Sequence, residues 1–189
     1  YDEININLGC PSGTVTTKAK GAGMLADSAR LDKFLAEVFE KTPVDISIKT
    51  RIGMERADEW EELLRVYNKY PIKELIIHAR VRADFYQNAP NWEAYSYATK
   101  NSKNPICYNG DIFSLNDYVK LKEKISSVEN VMVGRGLLSN PFLAEEIYSI
   151  NYDAIADKPA AMSKEKYSKL QDFHNELYDE YRKILSGDQ

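Results

Sequence analysis

Five short strand-like segments in this chain each end in polar or reactive residues: Asn7 and Cys10, Lys49 and Arg51, His78 and Arg80, Asn109 and Asp111, Gly134 and Arg135. One such ending would mean little. In parallel α/β folds, functional groups gather beyond the C-terminal ends of the strands. Five endings in succession therefore point to one site at one face.

Cys10 lies between Gly9 and Pro11, where a close backbone approach and a rigid turn fix a thiol at a strand tip. A positioned thiol can protonate a developing carbanion. Free cysteine is also among the most buried residue types, so a packing role stands beside the catalytic one. Cys107 sits inside an apolar segment and reads as packing. Two cysteines are too few for a disulfide framework, which fits a reducing cytoplasm.

Lys49 follows Ile46-Ser47-Ile48 and would be costly to bury without an anion. It reads either as a cation facing an electron-rich cofactor edge or as a chain snorkelling to the rim. His78 follows three apolar residues and has Arg80 and Arg82 close behind, which favours a site role. His174 falls in a tail helix and reads as a surface residue. Asn109-Gly110-Asp111 and Val133-Gly134-Arg135-Gly136 resemble a phosphate cradle, with glycine backbone and a guanidinium turned to an anion near a helix start. No metal site is assigned.

The formal net charge of −4 gives no general footprint for nucleic acid. Placement matters more than the sum. Lys18, Lys20, Arg51, Arg56, Arg80, Arg82 and Arg135 all fall in loops at that same face, whereas Glu37, Glu40, Glu59, Glu61 and Glu62 fall on helices. A protein so segregated can bind RNA despite a negative total.

The elements that must position these residues are strands at 3–7, 44–49, 74–78, 105–109 and 130–134, short and rich in β-branched residues. Leu31, Phe34, Leu35, Val38 and Phe39 repeat as one buried helical face, as do Trp60, Leu63, Leu64 and Tyr67. Ser114 and Asp117 form a capping-box pattern before Tyr118, Leu121 and Ile125, and Pro141 suits a helix first turn. The alternation predicts an α/β fold with a parallel sheet. Five strands are too few for a (β/α)₈ TIM barrel of about 250 residues, so the choice lies between an open sheet and a barrel lacking three strands. Residues 151–162 read as a connector, and Ser163 caps a helix with Tyr167, Leu170, Phe173, Leu177 and Tyr181 on one stripe, ending near Gly187. No apolar run approaches the ~20 residues of a membrane span, and no signal segment is evident.

Taken together, Ile6-Asn7-Leu8-Gly9-Cys10-Pro11 with Gly21-Ala22-Gly23-Met24-Leu25, Ile48-Lys49-Thr50-Arg51, Ile77-His78-Ala79-Arg80, Asn109-Gly110-Asp111-Ile112 and Val133-Gly134-Arg135 resemble the motifs of the tRNA-dihydrouridine synthases, in that family's order. The resemblance implies an FMN-dependent TIM barrel followed by a helical tRNA-binding domain, with NADPH as reductant. Hydride would go to C6 of a uracil and Cys10 would protonate C5. Lys49 and His78 would contact the flavin, and Asn109, Gly110, Asp111, Gly134 and Arg135 would hold its phosphate. Lys18, Lys20, Arg51, Arg80 and Arg82 would meet the tRNA. On that reading residues 1–150 are the last five β/α units and residues 151–189 a linker with the start of the helical domain. The chain would then begin mid-domain, bind FMN weakly, lack activity alone and self-associate through open barrel edges. Another flavin barrel resembling dihydroorotate dehydrogenase, or a non-catalytic RNA-binding fragment, are the competing expectations.

Overall fold

The computed structural model describes residues 1–149 and 163–184. The chain divides into two compact units, residues 1–150 and 151–189. In the first, β1 (Glu3–Leu8), β2 (Asp45–Arg51), β3 (Leu75–His78), β4 (Ile106–Asn109) and β5 (Asn130–Met132) form one sheet in sequential order. Every neighbouring pair is parallel, consistent with five consecutive units of a (β/α)₈ barrel.

The register sorts the strand residues into two faces, because successive side chains alternate across a strand. Ile48 aligns with Leu75 and Leu75 with Ile106, while Thr50 aligns with Ile77 and Ile77 with Tyr108. These apolar rows meet the helices, as the bond between Thr50 Oγ1 and Tyr67 Oη (2.8 Å) shows. Lys49, Ile76 and Cys107 form a row on the opposite face, and Arg51, His78 and Asn109 form the next row above it. The polar strand endings are thus lined up side by side.

The outer layer follows the predicted helical stripes. α1 is a single turn (Gly13–Thr16), followed by a 3₁₀ stretch at Gly21–Ala26. α2 (Ser28–Lys41) starts at Asp27, whose carboxylate accepts from Arg30 N–H (3.0 Å), and buries Leu31 and Leu35. α3 (Trp60–Tyr67) buries Trp60, Leu63, Leu64 and Tyr67 against the sheet, each worth about 1.5–3 kcal/mol of transfer free energy. α4 (Trp92–Asn101) is capped by Asn91, and its Ala94 carbonyl accepts from Trp60 Nε1 (3.0 Å). α5 (Leu115–Lys124) opens on the expected capping box: Ser114 Oγ accepts from Asp117 N–H (3.2 Å) and Asp117 returns the bond.

Three local expectations are corrected. β2 runs on through Thr50 to Arg51, so Lys49 lies within the strand rather than at its end. Pro141 precedes its helix: α6 (Arg135–Ser139) stops at Asn140, whose side chain accepts from Phe142 N–H (3.1 Å), and α7 (Leu143–Tyr148) begins afterwards. Glu59 does not coat an outer helix; its carboxylate gathers the N–H groups of Met54, Glu55 and Arg56 in the β2–α3 loop.

In the second unit, α8 (Lys164–Ile184) begins as predicted, with Ser163 Oγ accepting from Lys166 N–H (3.2 Å). Tyr167, Phe173, Leu177 and Tyr181 lie exposed along one side of it, as does His174 on its surface. The connector and the helix end near Gly187 fall outside the described residues. Among the described residues, no helix is long and apolar enough to cross a membrane.

Candidate active site

The row of Arg51, His78 and Asn109 is organised by two arginines expected to meet RNA, Arg51 in the row and Arg80 just beyond β3. Both are buried, at 1% exposure. Arg51 donates from Nε to Gly9 O (3.1 Å), from Nη1 to Val81 O (2.8 Å) and from Nη2 to Phe85 O (2.7 Å). Arg80 donates from Nε to Asn88 O and pairs through both terminal nitrogens with the Asp111 carboxylate. The placement of Arg51 and Arg80 on an RNA-facing surface is therefore corrected. Where strands end, loop carbonyls lose their ladder donors, and a guanidinium with five N–H groups can satisfy several at once.

Those two side chains fix the β3–α4 loop. Phe85 adopts φ +49°, a left-handed conformation that costs about 1–3 kcal/mol in a non-glycine residue and persists only when its surroundings enforce it. Here Arg51 grips its carbonyl, its own N–H reaches Arg82 O (3.1 Å), and Arg82 N–H donates to Gly53 O (2.8 Å). The loop presents Tyr86 to the site. Its ring lies 4.6 Å from Arg135 Cζ, 5.3 Å from Arg51 Cζ and 5.8 Å from the His78 ring. Sequence reasoning missed Tyr86. The available signal was a Phe-Tyr pair three residues after Arg82, in a loop at the functional end.

Asp111 also departs from expectation. Its carboxylate bridges Arg80 and Arg135, with Oδ1 2.7 Å from Arg135 Nη2. Burial pushes its pKa up, but the bond from Arg80 and the charges of Arg80 and Arg135 outweigh that and hold it below the usual carboxylate range. The carboxylate is thus committed to two guanidinium groups and holds Arg135 in place. Arg135 also lies over Phe113, 5.1 Å from the ring.

Cys10 is half-buried just beyond β1. Its segment is fixed on both sides: Asn7 Oδ1 accepts from Gly9 N–H (3.0 Å), and Cys10 O accepts from Ala22 N–H (3.0 Å). Gly21, at φ +53°, is needed there, since a Cβ would stand 2.9 Å from Cys10 Cβ. Cys107 is buried in the row of Lys49, and burial, with Glu74, pushes its thiol up to about 12. It stays protonated, in keeping with packing.

Lys49 is half-buried and makes no hydrogen bond or ion pair among the described residues. Burial and then the Arg51 charge lower its pKa. His78 is pushed down to about 3 by burial, then by Arg51, Lys49 and Arg80, with Asp111 opposing. Asn109 Nδ2 donates to Met132 O (2.8 Å), tying β4 to β5, and a Cβ at Gly134 would meet nothing within 4 Å. A Cβ at Gly110 would strike the Tyr108 ring. Lys18 and Lys20 are exposed in the loop after α1, on either side of Ala19 at φ +50°. Arg82 is more committed, stacked over Phe85 at 5.3 Å and 3.9 Å from Glu55. Among the described residues no group of three or more His, Cys, Asp or Glu is placed to hold a metal.

A stability test follows from His78. Unfolded, it takes its proton near its ordinary pKa; folded, near 3, so the unfolded state binds more protons between those values. The contribution is present in full above the unfolded pKa and is lost as pH falls toward 3. Between pH 7 and 4 the chain should lose on the order of 3 kcal/mol relative to His78→Gln, at about 1.36 kcal/mol per pH unit. Parallel urea-derived stabilities of the two proteins across that range would rule out a buried neutral imidazole.

The donor set fits a flavin phosphate and ring: an unpaired Lys49 ammonium, a neutral imidazole at His78, the Arg135 guanidinium and an open backbone at Gly134. A parallel α/β sheet whose C-terminal edge gathers such cations beside a fixed thiol belongs to the proteins that work at that end of their strands. The family model of the dihydrouridine synthases (Dus) matches residues 1–188, and the chain belongs to that family. It is 28% identical over 185 residues to a tRNA-dihydrouridine(16) synthase of Aquipseudomonas alcaligenes, covering 97% of this chain and 56% of that protein. It is 31% identical over 188 residues to a probable tRNA-dihydrouridine synthase 2 of Bacillus subtilis (strain 168), covering 97% and 54%. The chain spans about half the length of the curated relatives it matches.

Proposed function

We propose that these residues carry the reduction of tRNA uridines to dihydrouridine in the whole protein, with FMN as cofactor and NADPH as reductant. The observation that supports it most is the pair of Arg51 and His78 in one row, with Lys49 in the row below on the same sheet face, next to the β1 tip that holds Cys10. Reduced FMN would supply the hydride that uracil C6 takes. Cys10 delivers the proton to C5 from a half-buried position fixed by Asn7, Gly21 and Ala22. Lys49 offers an uncommitted ammonium to the electron-rich ring, and His78 offers a neutral donor. Arg135, held by Asp111, and the open Gly134 backbone receive the phosphate, with Asn109 and Gly110 shaping that loop.

On the RNA side, Lys18, Lys20 and Arg82 take the phosphate contacts, while Arg51 and Arg80 hold the loops that carry them. The target base must leave its stack to reach the site. Tyr86, half-exposed and flanked by two guanidinium groups, offers it an aromatic wall.

The test is flavin retention and RNA binding by the 189-residue chain. Five strands offer the phosphate site and Lys49 but less of a wall than a closed barrel of eight. FMN should wash out during gel filtration, no uridine should be reduced, and RNA affinity should fall with salt at a slope set by the phosphates neutralised. RNA affinity insensitive to salt, or no weakening on Lys18→Ala with Lys20→Ala, would remove the RNA side of the reading.

A further inference from the structure

The hydrogen bonding of His78 settles which of its nitrogens carries the proton. Arg80 Nη1 lies 3.2 Å from His78 Nε2, and a guanidinium has donors only. Nε2 must therefore present its lone pair. Arg80 cannot turn away: Asp111 holds both terminal nitrogens and Asn88 O holds Nε. The imidazole is 5% exposed, leaving water little access to offer Nε2 another arrangement.

We propose that Arg80 is a positioning residue that fixes His78 as the neutral imidazole with its proton on Nδ1, so that His78 serves as a one-directional hydrogen-bond donor in the site and not as an acid. Every charged or titratable group facing it favours that form or leaves it unopposed. β2 brings Lys49 and Arg51, and the loop after β3 brings Arg80 itself and sets the Tyr86 ring beside it, tilted by 33°. The loop after β4 brings Asp111, the one anion acting on it among the described residues, and that carboxylate is already bound by Arg80 and Arg135. A second proton on Nε2 would face the Arg80 guanidinium with no acceptor between them. The proton available for uracil C5 must then come from elsewhere, and Cys10 stands at the tip of β1, two strands away in the same sheet.

What Nδ1–H donates to, an acceptor oxygen or nitrogen of the bound flavin, rests on the reading above; the tautomer does not. The chain has two histidines, so nitrogen NMR of the imidazole rings is readily assigned by removing the other with His174→Gln. At pH 7 the expected spectrum shows His78 with a protonated Nδ1 and a bare Nε2, unchanged down to pH 5. A protonated Nε2, or an imidazolium at pH 6, overturns the proposal. Arg80→Gln and the milder Asp111→Asn should each admit the Nε2–H form, which a free histidine side chain prefers; a tautomer unaffected by either substitution shows that Arg80 does not set it.

In the whole protein, His78→Asn places an amide donor where Nδ1 was and should keep the FMN dissociation constant within about threefold. His78→Gln places it nearer Nε2 and should weaken FMN by about tenfold, the scale of one hydrogen bond. Equal FMN affinity in both variants, with the tautomer as proposed, overturns the donor role alone.

Discussion

Replacing Cys10 by alanine in the whole protein should lower uridine reduction by roughly 10²–10⁴-fold, the range for loss of a positioned general acid, while FMN affinity stays near that of the unmodified protein. The split follows from position. Cys10 lies beyond β1, whereas the proposed phosphate contacts lie beyond β4 and β5, at the other edge of the sheet. The substitution removes one sulfur from a half-buried site and leaves in place the bonds from Gly9 N–H to Asn7 Oδ1 and from Ala22 N–H to Cys10 O. Single-turnover reduction of tRNA by the pre-reduced protein isolates the step that needs the proton. Turnover within a factor of two of the parent would take Cys10 out of the mechanism, and Cys10→Ser would then have no reason to recover any rate.

Arg51→Met should destabilise the first unit by on the order of 3–5 kcal/mol, although methionine fills much of the same volume. Three carbonyls, from Gly9, Val81 and Phe85, lose a charged donor at once. Two of them belong to the loop that carries the left-handed Phe85, so the strain there loses its restraint. Urea unfolding measures the loss. Arg56→Met, at an exposed pair with Asp58, is the matched control and should leave the midpoint unchanged. A small loss for Arg51→Met would mean that water replaces the guanidinium.

Strand and helix positions were largely legible because apolar periodicity is a local property. Leu31 and Leu35, or Trp60 and Leu64, mark a buried face whatever surrounds them. The capping box at Ser114 was legible for the same reason. The motif residues were recognisable as a group, since parallel pairing turns a series of strand endings into one row. Their individual tasks were not. An arginine reads alike whether it meets RNA or three backbone carbonyls, and only the fold brings Gly9, Val81 and Phe85 around Arg51. Asp111 looked like part of a phosphate cradle because its partners, Arg80 and Arg135, lie 31 and 24 residues away. Tyr86 had no motif of its own, and its importance comes from the loop geometry that the buried arginines impose.

The strictly sequential order of the sheet bears on how the first unit is made. Each strand's ladder partners are its immediate predecessor and successor, so no strand has to wait for a distant segment or insert between two already paired. Loop-closure entropy grows only slowly with length and is met here in separate closures of similar span, instead of one large one. A chain leaving the ribosome can therefore add one βα unit at a time to the rim of what has already formed, and the domain's assembly can keep pace with its synthesis. The growing rim is an unpaired parallel strand at every stage, so the period of greatest exposure to aggregation is the interval between one strand's emergence and the next. Slowing translation within the stretch that encodes α4 would lengthen that interval for β3, the strand that carries His78.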